Sequence, residues 1–94
     1  MTGGSRKDDT GKMRFDLIPT SATKGIAEVL TFGASKYAPN GWKQVDNATE
    51  RYYAALHRHL IAWRDGEWLD PESGLPHLSH VLTNVVFLLE LNKP

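Results

Sequence analysis

A short loop in the second half of this 94-residue sequence, DPESGLP at 70–76, does most to limit how the chain can fold. Its two prolines and its glycine interrupt a helix and favour turns. Helical patterns stand on both sides of it: one begins near Asn47, and another runs from about Pro76 to Leu91. Because a short loop between two helices makes them antiparallel neighbours, we predict a helical hairpin over about 47–91.

A further helical pattern lies upstream, at about 20–37, where apolar side chains recur at helical spacing. Thr20 or Ser21 can cap this helix, and the turn sequence YAPNGWK ends it. No stretch alternates for long with the period of two that a half-buried strand requires. We therefore predict an all-α fold with three main helices, a flexible arm at 1–13 and a single domain at 14–94. The segment MRFDLIP is expected to be extended and to lie against the body.

The second helix decides which side chains meet near the loop. Asn47 and Glu50 have the spacing of a capping box at its start, and we expect it to continue to about Asp65 or Asp70. Two helices that meet at a loop centred near residue 73 or 74 bring together residues at equal distances from that centre. The predicted pairs are Asp70 with His77, Glu67 with His80, and Trp63 with Asn84.

The end of this hairpin gathers ionisable side chains. Four carboxylates and three of the chain's four histidines stand between Arg58 and Asn84. Nitrogen and carboxylate oxygen together suit Mn²⁺, Zn²⁺, Fe²⁺ or Co²⁺, and Mg²⁺ less readily. We expect a divalent metal, Mg²⁺ or Mn²⁺, as cofactor. The predicted metal ligands are Glu67, Asp70, His77 and His80, and His59 falls on roughly the same stripe.

The same side chains have two other interpretations. Glu67 and Glu72 are candidates for a catalytic role, with Glu72 as a ligand or a general base. Alternatively, the cluster is a network of salt bridges that braces the loop, with Glu72 or Ser73 capping the third helix.

A second set of residues has the types that a nucleotide requires, cations for its phosphates and flat rings for its base. Arg14 is expected to contact phosphate, because the neighbouring Phe15 can anchor its segment. The predicted substrate-binding residues are Lys12, Arg14, Lys36, Tyr37, Trp42 and Asn84. The alternative is that the rings form edges of the core and the cations a solvated face.

The last helix indicates self-association. Its sequence VVFLLEL at 85–91 is apolar almost all round, and a helix of this kind is usually buried on every side. Three helices of one chain cannot surround it, so we predict a homo-oligomer. The alternative is one wide core face in a monomer.

Composition argues against several classes of function. Lys plus Arg equals Asp plus Glu at 11 each, which disfavours binding to DNA, RNA or a membrane surface. No apolar run approaches the roughly 20 residues that span a bilayer. The chain has no cysteine, which excludes disulfides and thiolate metal sites and fits a cytoplasmic location.

Several segments together resemble a known family. They are KMRFDLIP, FGASKYAPNGW, RHLIAW and GEWLDPESGLPHLSH, and the resemblance covers about residues 11–91. The chain resembles the phage-associated, MazZ-like dATP/dGTP diphosphohydrolases, which are related to the all-α, MazG-like nucleoside triphosphate pyrophosphatases.

The resemblance implies an α-helical nucleotide-binding fold in the cytoplasm of an infected bacterium. It also implies a divalent metal and hydrolysis of a purine (deoxy)nucleoside triphosphate to monophosphate and pyrophosphate. MazG-like proteins hold their metal with Glu-Glu-x-x-Glu and Glu-x-x-Asp on successive helices, whereas the last helix here carries His77-Leu-Ser-His80. This departure opens an alternative: an oligomeric sponge without hydrolytic activity that sequesters nucleotide second messengers of anti-phage immunity, such as cyclic oligonucleotides or ADP-ribose derivatives.

Overall fold

The computed structural model describes residues 10–94, and this part of the chain contains three α-helices and no strand longer than a single bridge. The helices are α1 (Thr20–Lys36), α2 (Ala48–Arg64) and α3 (His77–Leu91), with 3₁₀ turns at Phe15–Leu17 and Gly41–Gln44. The predicted all-α architecture with three main helices is confirmed. Most of the predicted arm at 1–13 lies outside the described residues.

The hairpin of α2 and α3 is the main packing unit. The side chains of Thr49 and Asn92 lie 3.4 Å apart at one end, and those of His59 and His77 lie 2.8 Å apart at the other. Contacts between the first turn of α2 and the residue after α3 require antiparallel helices. α1 packs against α3.

α2 ends at Arg64, next to the shorter predicted limit at Asp65 and well before the longer one at Asp70. Gly66 has φ of 103°, a left-handed conformation that glycine adopts without steric cost. The Gly66 amide donates to Trp63 O, and the Glu67 amide donates to Ala62 O, both at 3.0 Å. This pair of hydrogen bonds is a Schellman motif, which satisfies the last carbonyl groups of the helix and turns the chain away.

The loop that follows is a miniature hairpin. Leu69 and Pro76 form an antiparallel bridge. The Asp70 amide donates to Leu75 O at 2.8 Å, and the His77 amide donates to Trp68 O at 2.9 Å. Residues 68–70 thus run extended beside 75–77, and they set a different register from the one that a continuous helix predicts.

The predicted position of Asn47 at the start of α2 is confirmed, but the predicted side-chain caps do not form. The residues at the N-cap positions of α1, α2 and α3 are Pro19, Asn47 and Pro76, and none makes a side-chain capping hydrogen bond. Asn47 has φ of 53°, so its side chain does not form the capping box with Glu50. Ser73 and Glu72 make other contacts, described below.

The segment MRFDLIP also departs from expectation. It forms a 3₁₀ turn rather than an extended strand. The exposed fractions of Met13, Phe15 and Leu17 are 81%, 72% and 68%, so this segment does not lie against the body of the chain.

α1 and α3 approach each other closely at Gly25. A Cβ atom added to Gly25 would lie 2.8 Å from Ser79 Oγ and 3.4 Å from Ser79 Cβ. The absence of a side chain at this position therefore allows the two helices to meet, and it holds α1 beside the first turns of α3.

An aromatic cluster fills the opposite end of the hairpin. The Trp42 ring stacks on Phe87 at 4.5 Å between centroids, and Tyr52 lies 4.7 Å from the same ring. Tyr52 also donates its hydroxyl to Trp42 O at 2.7 Å. Stacked rings of this kind stabilise the turn that joins α1 to α2 against the hairpin.

Candidate functional site

The buried stripe of α3 is polar, which reverses the usual arrangement of a helix in a soluble domain. The side chains of α3 that are buried are those of His77, His80, Thr83 and Asn84. Thr83 donates to Ser79 O and Asn84 donates to His80 O, both at 2.8 Å, so backbone carbonyl groups satisfy them. The two histidines instead contact side chains of α2 and of the loop.

His77 is held between two side chains. Its Nε2 lies 2.7 Å from Glu67 Oε1, and its Nδ1 lies 2.8 Å from His59 Nδ1. An ionised carboxylate only accepts hydrogen bonds, so Nε2 carries the proton of the neutral His77 ring. Nδ1 of His77 then presents a lone pair toward His59.

His80 occupies the other side of His59. The His59 and His80 rings stack at 4.4 Å with an interplanar angle of 7°. His80 Nε2 lies 2.7 Å from Ser73 Oγ and 3.7 Å from Asp70 Oδ2. The Ser73 amide donates to the same Asp70 oxygen at 2.9 Å. Ser73, which was predicted as a possible helix cap, therefore positions both Asp70 and His80.

The observed ion pairs differ from the predicted register. Glu67 contacts His77, and Asp70 contacts His80, so the predicted pairing of Glu67 with His80 is wrong. The physical reason is the Schellman turn at Gly66, which ends the helix before Glu67 and sends the chain into the miniature hairpin.

The surroundings of His59 and His80 favour their neutral imidazole forms, and those of Asp70 favour its ionised carboxylate. Burial lowers the pKa of His59 to about 4, and the neighbouring His80 adds to this effect. Burial also lowers the pKa of His80. Burial alone would raise the pKa of Asp70, but hydrogen bonds from Ser73 and the nearby His80 bring it below its usual range. Near neutral pH these are the protonation states that bind metal ions.

Three donor atoms of this cluster are close enough to share one ion. His59, Asp70 and His77 each offer a ligand atom, and these atoms all lie within 4.8 Å of one another. The 2.8 Å contact between the two Nδ1 atoms is a hydrogen bond, so an ion bound to both of these nitrogen atoms would displace the proton between them. The donor set fits a divalent ion that accepts both nitrogen and oxygen.

This group overlaps the predicted ligand set in part. Asp70 and His77 belong both to this group and to the predicted ligands. His59 belongs to this group but was not among the predicted ligands. Glu67 lies where it can orient His77, and a carboxylate in this position commonly fixes the tautomer of a metal-binding histidine. The position of His59 on the same stripe of α2 is a sequence signal that could have identified it as a ligand. For Ser73 there was no such signal beyond its place in the loop.

Two of the predicted substrate-binding cations, Lys36 and Arg14, form ion pairs with carboxylates. Lys36 Nζ donates to Glu72 Oε2 at 2.7 Å and lies 5.4 Å and 5.3 Å from the ring centroids of Phe32 and Tyr37. This contact brings Lys36 beside the loop that carries Asp70. Arg14 makes a two-fold hydrogen bond with Asp16, at 2.8 Å for each bond, and both side chains are exposed.

The other predicted contacts are more scattered. Trp42 stacks on Phe87, which lies ten residues after His77 on the same helix and so about 15 Å from it along the axis. Asn84 is buried one turn after His80, and Tyr37 is exposed. The structure thus brings Lys36, Tyr37 and Glu72 together near the cluster, but it does not bring Trp42 there.

The fold and the site together define a class of protein. It is an all-α domain that carries a mixed group of histidine and carboxylate side chains at the end of a helical hairpin. The chain belongs to the family described as dATP/dGTP diphosphohydrolase, N-terminal, whose profile matches residues 2–94. The resemblance drawn from the sequence is thereby confirmed.

One relative is a protein of Salmonella phage PMBT28 named dATP/dGTP diphosphohydrolase, which is 32% identical over 90 residues. The alignment covers 94% of this chain and 30% of the relative, so the chain spans less than a third of the length of that curated protein. No solved structure matches the chain. Among residues 10–94, no helix is both long enough and apolar enough to cross a bilayer.

Proposed function

We propose that this domain binds a purine (deoxy)nucleoside triphosphate together with a divalent cation and hydrolyses it to monophosphate and pyrophosphate. The observation that carries the proposal is the group of His59, Asp70 and His77, with Glu67 bonded to the far side of His77. Membership of a family named for dATP/dGTP diphosphohydrolase supports the choice of substrate and reaction.

His59, Asp70 and His77 would hold the cation. When bound, a divalent ion polarises phosphate oxygen atoms and lowers the pKa of a coordinated water. Glu67 keeps the Nε2 proton of His77 in place, so the lone pair on Nδ1 of His77, which accepts a hydrogen bond from His59, could serve a metal ion instead. The reaction consumes one water and breaks the bond between the α-phosphate and the β-phosphate.

Lys36 supplies positive charge at the edge of this group. Its ammonium is paired with the exposed Glu72, so a phosphate would compete with that carboxylate for the same cation. Release from Lys36 would leave Glu72 available as a general base. Arg14 is the second proposed phosphate contact; its guanidinium donates two hydrogen bonds to Asp16, so a phosphate would compete with that carboxylate.

The test is incubation of the protein with a panel of dNTPs, NTPs, cyclic oligonucleotides and ADP-ribose derivatives, with Mn²⁺, Mg²⁺ or EDTA. Mass spectrometry would identify which compounds are converted and which are recovered intact. We expect conversion of a purine deoxynucleoside triphosphate to monophosphate and pyrophosphate, only when the metal is present. Failure to convert any member of the panel in the presence of metal would overturn the hydrolase proposal.

The same experiment examines binding without hydrolysis. One observation favours this second function: Asp70 is the single carboxylate among the three donors, so the group carries little negative charge for a cation. Tight binding of one compound in EDTA, with full recovery of the intact compound, would support an oligomeric sponge.

A further inference from the structure

We propose that the groove between α1 and the loop at 70–76 holds the base of the nucleotide, and that Glu28 makes this groove prefer guanine. The proposal rests on the proposed function for the presence of a nucleotide, and it adds where the base lies and which base is favoured. The groove has a volume of about 410 Å³, within the range of about 300–1,000 Å³ that small-molecule sites occupy.

The groove opens beside the candidate metal group. Ser73 lines its loop side, and the Ser73 amide donates to Asp70 Oδ2 at 2.9 Å. The Ser73 hydroxyl oxygen lies 2.7 Å from His80 Nε2. A ligand in the groove would therefore be separated from Asp70, one of the three metal donors, by Ser73 alone.

α1 supplies the other wall, and its residues follow the order of the parts of a nucleotide. Glu28, Phe32 and Lys36 are spaced four positions apart, so they lie on one face of the helix. Lys36 Nζ, the proposed phosphate contact, lies 5.4 Å from the centroid of the Phe32 ring. Glu28 stands about 12 Å from Lys36 along the helix axis. With the phosphates at Lys36, the base therefore passes over Phe32 and ends at Glu28, and Lys24 at the far rim lies one turn beyond it.

The walls of the groove suit a flat ring. Ala27, Phe32 and Leu75 line it with apolar surface, and the half-buried Phe32 and Leu75 are held in place by their neighbours. Stacking of a base on an aromatic side chain contributes to affinity whatever the base, because every base has a π-face. Phe32 therefore provides binding without choosing among bases.

Glu28 supplies the choice. It lines the groove and is exposed, and within residues 10–94 its carboxylate makes no hydrogen bond or ion pair. An ionised carboxylate only accepts hydrogen bonds, and it has two oxygen atoms to do so. Guanine presents two neighbouring donors, N1–H and the 2-amino group, which match these two oxygen atoms. Adenine presents one amino group beside the lone pair of N1, which would repel a carboxylate oxygen, so Glu28 favours guanine.

The experiment measures binding of deoxynucleoside triphosphate analogues in which a methylene group replaces the oxygen between the α- and β-phosphates, so that hydrolysis does not interfere. Titration calorimetry of the full chain with Mn²⁺ compares the analogues of dGTP, dITP and dATP. We expect the dGTP analogue to bind most tightly, and the dITP analogue, which lacks the 2-amino group, to have intermediate affinity. Glu28→Gln should weaken binding of the dGTP analogue by about 10–100-fold and remove or reverse the preference over the dATP analogue, because an amide both accepts from adenine and donates to it.

Two further variants separate selection from general effects. Asp46→Asn is the matched control for the loss of a carboxylate, since Asp46 is exposed and lies in the connection between α1 and α2, and it should leave all three affinities unchanged. Phe32→Leu should weaken binding of all three analogues to a similar extent, because it removes stacking and leaves Glu28 in place. Circular dichroism checks that each variant keeps its helices.

The outcomes distinguish this proposal from the hydrolysis proposed above. Equal affinity of the wild type for the three analogues, or a preference for guanine that Glu28→Gln leaves unchanged, would overturn the assignment of the groove and leave hydrolysis intact. A chain that selects the dGTP analogue through Glu28 but never converts dGTP would overturn hydrolysis and support the groove. Failure to bind any of the analogues would overturn both.

Discussion

Glu67 Oε1 lies 2.7 Å from Nε2 of His77, and this contact leaves the other ring nitrogen of His77 facing Nδ1 of His59. Glu67 is half-exposed, while the His77 side chain is almost completely buried. A partly solvated carboxylate thus sets the tautomer of a buried imidazole. The ring nitrogen that His77 presents to the other donors therefore depends on a residue that is not one of the three donors.

Glu67→Gln should weaken binding of a divalent metal by about 10–100-fold, because the amide carries no charge and can also turn its NH₂ group toward His77. Titration calorimetry with Mn²⁺ or Zn²⁺ measures the change, and the cleavage assay should show a parallel loss of activity. Asp65→Asn is the matched control, since Asp65 is exposed and lies two residues earlier. Equal affinities for wild type and Glu67→Gln would remove Glu67 from the site.

Lys36→Gln should weaken nucleotide binding without a measurable loss of stability. Lys36 and Glu72 are both solvent-exposed, and surface ion pairs of this kind contribute little to folding. Calorimetry with the compound identified in the panel measures affinity, and urea denaturation measures stability. Lys24→Gln, an exposed lysine on the same helix, should leave affinity unchanged. The opposite result, lower stability with unchanged affinity, would make the contact with Glu72 purely structural.

The free energy of unfolding should fall as pH decreases from about 6.5 to about 4. The pKa of His59 in the folded chain is lowered to about 4, whereas an unfolded histidine has its usual value, so the unfolded chain binds more protons in this interval. The shift alone implies roughly 3 kcal/mol, and solvent screening of the partly exposed ring reduces this to about 1–2 kcal/mol. The lowered pKa of His80 acts in the same direction.

Urea denaturation at about pH 7 and about pH 5 measures this dependence. His57→Gln should retain it, because His57 is exposed and points away from the cluster toward Tyr53. A free energy of unfolding that stays constant over this interval would show that the His59 ring is as easily protonated in the folded chain as in the unfolded one.

Gly25→Val should destabilise the domain by about 1–3 kcal/mol, because its side chain would press on Ser79 where α1 meets α3. Thermal or chemical denaturation measures the effect. Gly33→Val is the control on the same helix, since a Cβ atom at Gly33 would meet nothing within 4 Å. If both variants have the same stability, the close approach of the helices does not depend on the glycine.

The helices were predictable because each one repeats apolar side chains at helical spacing and stops at local signals. The predicted start of α1 at residue 20 and end of α3 at Leu91 agree with the structure. The register near the site was not predictable from spacing alone, because a Schellman turn at Gly66 and a bridge from Leu69 to Pro76 replace the expected continuation of α2. Loop hydrogen bonds, rather than helix periodicity, decide that Glu67 meets His77.

The site also shows the limits of counting residue types. Four ionisable residues were assigned as ligands, but Glu67 and His80 lie where they can support the donors of the closest group, His59, Asp70 and His77. The cations and aromatic rings upstream of the hairpin were predicted to bind substrate because of their residue types alone. In the structure, Trp42 belongs to an aromatic cluster about three helical turns away.

The three donors come from three separate segments: α2, the loop and the first turn of α3. An ion bound to His59 and His77 would cross-link residues 18 positions apart in the sequence, much as a disulfide closes a loop of the unfolded chain. Ion binding and hairpin closure would then be two expressions of one equilibrium. Under this arrangement the melting temperature of the domain becomes a direct gauge of the metal available to it.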